Sequence, residues 1–502
     1  GTAFEFLNLD DSNVQIRLTE GSLNVRLRAL SDTETFEVDT PNLAFSLLRA
    51  GQYRIDVNAD TTATLVTVRG GEGEVSGGNQ AFPVRPGEQA RIVGTDSPSF
   101  DTLSAPPADE WDTWCLARDR REDQSPSARY VSREMVGYQD LDDNGDWRTV
   151  PEYGAVWVPR GVVVGWAPYH YGHWVWVEPW GWTWVDDAPW GFAPFHYGRW
   201  VYAGYWAWVP GPVAVRPVYA PALVAWVGGP SFSLSVSFGA GVAGVAWFPL
   251  GPREVYVPAY RASPAYINRV NVTNTTIVNN INITNINTIN VRYINREAPG
   301  AVTAVPQSAL AGARPVQSAA VAVPVNAIRS AQVMNTAPVA PSRQSVLGAA
   351  APAGGRVAQP PAAVQNRAVV AKLAPPPAPV PFAQRQQALA ANPGRPLDSG
   401  AVQRLRASQP APARPFVRPA QGSFRAPSQN GGTIGAAGGS SPARPQVEAP
   451  PVTPQRGASQ PVPAGQPQPG EFRPNAPVAQ PNRIPPQVRP SQPSPEQARP
   501  GQ

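Results

Sequence analysis

All three histidines of this 502-residue chain, His170, His173 and His196, lie between Trp157 and Trp208, alongside eleven of its 16 tryptophans. Imidazole carries protons near neutral pH and ligates metals, so these positions come first in any search for chemistry. No carboxylate or cysteine recurs beside them. His170 and His196 instead share one setting, Pro168-Tyr169-His170-Tyr171-Gly172 and Pro194-Phe195-His196-Tyr197-Gly198, which points to a structural hydrogen bond in a repeated turn. Cys115 is the only cysteine. One thiol forms neither a disulfide within the chain nor a CxxC metal site, and no His–Asp arrangement marks it as a nucleophile. Asp140-Leu141-Asp142-Asp143-Asn144-Gly145 opens like a calcium loop. Its twelfth position is Pro151 rather than Glu and no helices flank it, so it reads as a solvated turn. A P-loop, a dinucleotide fingerprint and a nucleophile motif are missing. We therefore expect no catalytic residue, no metal, no cofactor and no enzymatic activity.

The elements that carry these residues are repeated. Gly165-Trp166-Ala167-Pro168-Tyr169-His170-Tyr171-Gly172-His173-Trp174-Val175 returns 26 residues later as Gly191-Phe192-Ala193-Pro194-Phe195-His196-Tyr197-Gly198-Arg199-Trp200-Val201. After each copy the aromatics alternate with period two, which is the period of a strand. Trp174 and Trp176 share a face, a turn at Glu178-Pro179-Trp180 follows, and Trp182 and Trp184 return. Trp200 and Tyr202, a turn near Ala203-Gly204, then Trp206 and Trp208 repeat the plan. Two hairpins with aromatic ladders are expected, joined as a small antiparallel meander. The rings have two readings. They are the core of a small β-domain, packed against the alternating Ser231–Phe238, or some stay exposed and stack on a ligand. On the second reading the ligand-binding candidates are Trp166, Trp174, Trp176, Trp182, Trp184, Trp200, Tyr202, Trp206 and Trp208.

Around this block the expected class is mainly β. Val14, Ile16 and Leu18 alternate with Gln15 and Arg17, and Leu23, Val25, Leu27 and Tyr53, Ile55, Val57 continue the pattern. We expect a β-domain over 1–103, a helical connector over 104–135 with Ser104 as cap, and the repeat domain over 136–262. An Asn/Ile/Thr low-complexity connector follows over 263–298, then a disordered Pro/Ala/Arg-rich tail over 299–502. Trp111, Trp114 and Cys115 fall on one face of the helix. The tail has no Trp or Tyr and four Phe, too little apolar surface for a core of its own. It carries 19 basic and four acidic residues, against 22 and 32 in the body. A basic arm seeks polyanions or serves as a soluble spacer. No run of 18 apolar residues is present, and the uncharged stretch from Pro217 to Pro252 is broken by proline and paired glycine. The start at Gly1 rather than Met is read as a processed N-terminus.

Glu20-Gly21-Ser22-Leu23-Asn24-Val25, Phe36–Phe45, Leu47–Val57 and Val68–Val75 resemble the FecR-type periplasmic domain. Trp114-Cys115, Arg118–Arg121, Tyr130-Val131-Ser132, the two repeats, Arg216–Pro221 and Phe248–Tyr256 extend the resemblance. Together they are similar to exported bacterial proteins in which a FecR-like domain precedes a tryptophan-rich, WxxGxW-type repeat domain of unknown function. The resemblance implies a periplasmic or secreted protein of the bacterial envelope. The expected function is non-enzymatic binding of a cell-wall or extracellular polysaccharide such as peptidoglycan, or of an envelope protein, with nucleic acid not expected. FecR-type signal relay and a purely structural scaffold are the alternatives.

Overall fold

The computed structural model describes residues 1–10, 12–60, 62–228, 233–235, 241–272, 293–348, 361–408 and 416–420. The fold is mainly β, as the alternation predicts. The first ten strands are β1 (Ala3–Leu9), β2 (Asn13–Leu27), β3 (Thr35–Asp39), β4 (Ala44–Leu47), β5 (Gly51–Val57), β6 (Ala63–Gly70), β7 (Gly73–Gly77), β8 (Gln80–Val84), β9 (Glu88–Val93) and β10 (Ser99–Ser104). They run in the order β10-β9-β6-β5-β2-β3-β4-β7-β8, with β1 also on β2. The long β2 serves two halves. Its first part pairs antiparallel with β1 and parallel with β3, its second part antiparallel with β5. Period two then sends Ile16, Leu18, Val38, Phe45, Ile55 and Val66 into one core.

Helix α1 spans Glu110–Asp123. Its cap is Asp109, in a reciprocal box with Asp112, and not Ser104, which ends β10. Pro106 and Pro107 lie in the link before it. Nor does an apolar face dock it. Trp114 is 55% exposed, and the one buried residue is Asp112, which reaches Arg69 at 2.5 Å and Arg54 at 3.2 Å.

Three hairpins follow: β11 (Gly145–Val150) with β12 (Gly154–Pro159), β13 (Gly172–Val177) with β14 (Gly181–Asp186), and β15 (Arg199–Tyr202) with β16 (Trp206–Val209). A short helix α2 (Leu141–Asn144) precedes the first and α3 (Phe192–His196) the third. The expected single meander is not formed. β13 and β14 stand as their own sheet, whereas β15-β16 joins β11-β12 through the pair Trp157↔Trp208. β17 (Val224–Gly228), β18 (Ser233–Ser235) and β19 (Gly241–Pro249) build a further sheet, and α4 (Pro264–Val270) comes after it.

The boundary set at Pro299 is corrected. β20 (Thr303–Pro306) pairs with β19 and β21 (Gln332–Met334) with β17, so the supposed tail completes this sheet. Ala304, Val305, Leu310, Val316 and Val339 are buried in the aromatic core. β22 (Val369–Ala371) and β23 (Val417–Pro419) pair with each other farther on. This segment is too poor in large apolar residues to make a core alone. It need only finish one that the tryptophans began. Residues 273–292 of the Asn/Ile tract, all of Ser231–Phe238 except 233–235, and the tail beyond 420 lie outside the described residues.

Candidate functional site

The three hairpins share one device. In each, a Gly-x-Trp opens the first strand and a second tryptophan on the return strand pairs with the first: Trp147↔Trp157, Trp174↔Trp184 and Trp200↔Trp208. The returning indole lies over the glycine. A Cβ on Gly145 would sit 2.3 Å from the Trp157 ring, one on Gly172 2.6 Å from Trp184, and one on Gly198 2.7 Å from Trp208. Two of these units were plain in the sequence. The third, Gly145-Asp146-Trp147, was missed because Asp142-Asp143-Asn144 fills the place of the aromatic turn.

The predicted ladders form, with Trp176↔Trp182 and Tyr202↔Trp206 completing them, but they do not make an exposed face. Trp174, Trp176, Trp182, Trp184, Trp200, Trp206 and Trp208 are buried, none more than 5% exposed. Trp166 is half-buried against Trp190 and Trp200. Of the nine candidates Tyr202 alone is exposed, at 36%. The physical reason is a wall supplied by two further tryptophans. Trp226 and Trp247, from β17 and β19, pack on Trp174 at 4.5 and 5.3 Å.

Burial also fixes several indole N–H groups, which need an acceptor away from water, although Trp174 Nε1 and Trp176 Nε1 are buried with none among the described residues. Trp157 donates to Leu141 O at 3.1 Å, Trp200 to Pro194 O at 3.0 Å, Trp208 to Tyr197 O at 2.9 Å and Trp247 to Tyr169 O at 3.0 Å. Trp182 donates to Val339 O at 3.0 Å, tying the segment after Pro299 to the repeat. Trp184 donates to Asp186 Oδ2 at 3.0 Å, and burial still raises that carboxyl to about 7.

The histidines are structural partners. His196 Nδ1 lies 2.8 Å from Ala220 O, and burial lowers its pKa to about 4, so the ring is neutral and donates to that carbonyl. His170 Nδ1 lies 3.2 Å from Thr303 Oγ1. Burial lowers the pKa of both His170 and His173. Asp142 of the calcium-like run accepts from Ser127 N at 3.0 Å and Ser127 Oγ at 2.6 Å, a use internal to the fold. Cys115 is half-buried, its thiol pushed up by burial and by Asp119 and Asp112. Among the described residues no group of three or more His, Cys, Asp or Glu is placed to hold a metal ion. No helix among them is long and apolar enough to cross a membrane.

A second group of rings that reaches the surface was not among the candidates. Trp180, in the β13–β14 turn, lies 4.8 Å from Tyr219. Tyr219 stacks on Phe192 at 6.0 Å, and the buried His196 backs it at 4.7 Å. Phe192 is 43% exposed, and Trp180 and Tyr219 are half-buried. The signal was weak: Trp180 sits in the turn between the two strands, and Phe192 occupies the repeat position held by the half-buried Trp166.

Residues 138–254, which span the three hairpins, match a family of unknown function (DUF6600). No curated protein matches the chain. Two crystal structures of a "putative anti-sigma factor" from Parabacteroides distasonis are similar to part of it, each at 17% identity. One covers 21% of this chain and 48% of its own, with a TM-score of 0.19. The other covers 23% and 52%, with a TM-score of 0.20. The chain thus spans about half the length of these proteins.

Proposed function

We propose that this is a non-enzymatic protein of the bacterial envelope, periplasmic or secreted, that binds a cell-wall or extracellular polysaccharide through the surface line Trp180–Tyr219–Phe192. The observation that carries the reading is the continuity of these rings. Flat, part-exposed aromatic faces held side by side suit the apolar face of a sugar ring, and such faces are seldom left in water without a use. The buried tryptophan ladders supply rigidity. They fix the β13–β14 turn that carries Trp180, and the neutral His196 holds Tyr219 from behind.

The test is a titration of the full chain with peptidoglycan fragments and envelope polysaccharides, followed by tryptophan fluorescence. A saturable change is expected, lost in Trp180→Ala and Phe192→Ala while the melting temperature holds. Unchanged affinity in both variants, or no saturable response with any of these polymers, rejects the reading and leaves a scaffold.

A further inference from the structure

The outer face of the first β-half carries polar side chains in two rows. Gln15, Glu37, Ser46 and Glu74 lie abreast on β2, β3, β4 and β7, with Arg17, Asp39, Ala44 and Ser76 in the next row. On a sheet with one buried face such a second, polar face belongs in water. Here Gln15 and Glu37 are 1% exposed and Asp39 is fully buried. Their cover is residues 365–373 of the same chain, which leave a short helix over Ala362–Gln365, run as strand β22 over Val369–Ala371 and bend at 372 and 373.

Most of the contacts read backbone. Arg17 Nη2 donates to the carbonyls of Gln365 at 2.7 Å and Arg367 at 2.5 Å. Val370 N donates to Thr40 O at 2.8 Å. Glu37 Oε1 accepts both the Lys372 and Leu373 amides, at 2.8 and 2.9 Å, and Gln15 Nε2 donates to Leu373 O at 2.8 Å. Side chains are read at two points. Lys372 Nζ meets Glu74 at 2.5 Å, and Arg367 reaches Thr19 O at 2.8 Å and Glu20 at 3.3 Å. This pattern selects an extended backbone and a cation at each of two positions rather than a particular sequence.

Two features show that the resident segment is an incomplete fit. Glu37 and Asp39 bury two carboxyls side by side with no ion pair to either among the described residues, and burial together with Glu37 holds the Asp39 carboxyl well above the usual range, so the segment covers acid that it does not neutralise. Beside it, at Phe4, Glu5, Arg17 and Gln365, a cavity of about 750 Å³ opens. An incoming chain can enter there.

We propose that this face is a recognition groove for an extended, lysine-bearing segment of a partner protein, and that residues 365–373 are its displaceable internal occupant. The proposal does not rest on the aromatic line at Trp180.

The probe is a fluorescein-labelled synthetic peptide of residues 365–375, followed by anisotropy on the full chain. Hydrogen exchange of segment 366–373 is measured in parallel. Wild type is expected to bind the peptide weakly, because its own segment competes. Arg367→Glu with Lys372→Glu is expected to speed exchange of 366–373 and to tighten peptide binding by about tenfold or more. Adding Glu74→Lys then abolishes it, and a peptide with glutamate in place of its lysine fails on every chain that keeps Glu74. Fast exchange without peptide binding overturns the proposal, as does binding that Glu74→Lys leaves intact. Unchanged exchange and unchanged affinity also overturn it. If the double variant does not fold, Lys372→Ala is read in the same way, and loss of folding there too makes the segment a permanent part of the sheet.

Discussion

At the scale of single residues, glycine and buried ionisable groups decide most. Gly198 (φ +65°) and Gly204 (φ +81°) both have left-handed backbone, but a Cβ at Gly198 would lie 2.4 Å from Val209 O, whereas Gly204 has nothing within 4 Å. Gly204→Ala should therefore carry only the conformational penalty, about 1 kcal/mol. Gly198→Ala adds an overpacking term of about 1–3 kcal/mol, because its neighbour is backbone and cannot swing away. Urea denaturation of the two variants measures the difference, and equal losses would remove the role given to Gly-x-Trp.

Burial lifts Glu254 to about 7 against the ordinary carboxyl value of 4.5. The folded state thus holds this proton more tightly than the unfolded one, and its contribution is complete below pH 4.5 and lost as pH rises through 7. His196, lowered to about 4, works in the opposite sense, with a contribution present above pH 6.5 and lost as pH falls through 4. Glu254→Gln leaves Gly251 N or Ile294 N with a poorer acceptor, so it lowers stability at every pH. Its shortfall against wild type should shrink as pH rises from about 4.5 to 7 and then stay constant. Unfolding free energies across this range check the slope, and a constant shortfall would contradict the raised Glu254. The ladder partners were legible at this scale, since period two and a short turn leave one register. Their exposure was not, because burial depends on what Trp226 and Trp247 do tens of residues away.

At the scale of elements, local signals were read best where the element satisfies itself. The hairpins of Trp174–Trp184 and Trp200–Trp208 follow from alternation and turn chemistry within about a dozen residues. Their assignment to different sheets follows from Trp157↔Trp208, a pairing without a local signature. Helix α1 shows the same divide. Its existence was legible, while its start moved from Ser104 to Asp109 because β10 claims Ser99–Ser104. Its docking inverts the usual rule for an amphipathic helix, since buried Asp112 faces Arg54 and Arg69 on neighbouring strands. Asp112→Asn should leave the partly buried Arg69 without its counter-charge, while Arg54 keeps Asp56 and Asp109, and cost about 1–3 kcal/mol. Asp109→Ala removes the cap itself, typically about 1 kcal/mol, together with its ion pair to Arg54. Denaturation curves rank the two, and an Asp112→Asn variant as stable as wild type would mean that α1 is held by something other than these charges.

At the scale of the whole molecule, the split between an acidic body and a basic segment acquires an internal meaning. Lys372 meets Glu74, Arg367 meets Glu20, Arg385 meets Glu178, and Arg418 meets Asp96. The polyanion expected for the arm is, over these residues, the body of the same protein. Composition hid this because alanine, valine and proline look too poor to order a chain alone, yet they suffice against a wall already built. A chain ending at Ala298 would lose β20 and β21 and the buried Val305, Leu310, Val316 and Val339. At ~1.5–3 kcal/mol for each large apolar side chain, the loss rivals a typical total stability of ~5–15 kcal/mol. It would also bare the β17 and β19 edges and strip Trp182 Nε1 of the Val339 carbonyl. We therefore expect the 1–298 chain to bind a hydrophobic dye, to emit at longer wavelength and to melt without a cooperative transition. A chain ending at Pro427 retains every one of these contacts and should melt like the whole protein. Cooperative melting of the 1–298 chain within a few degrees of the full chain would return the segment after Pro299 to the role of a mere spacer.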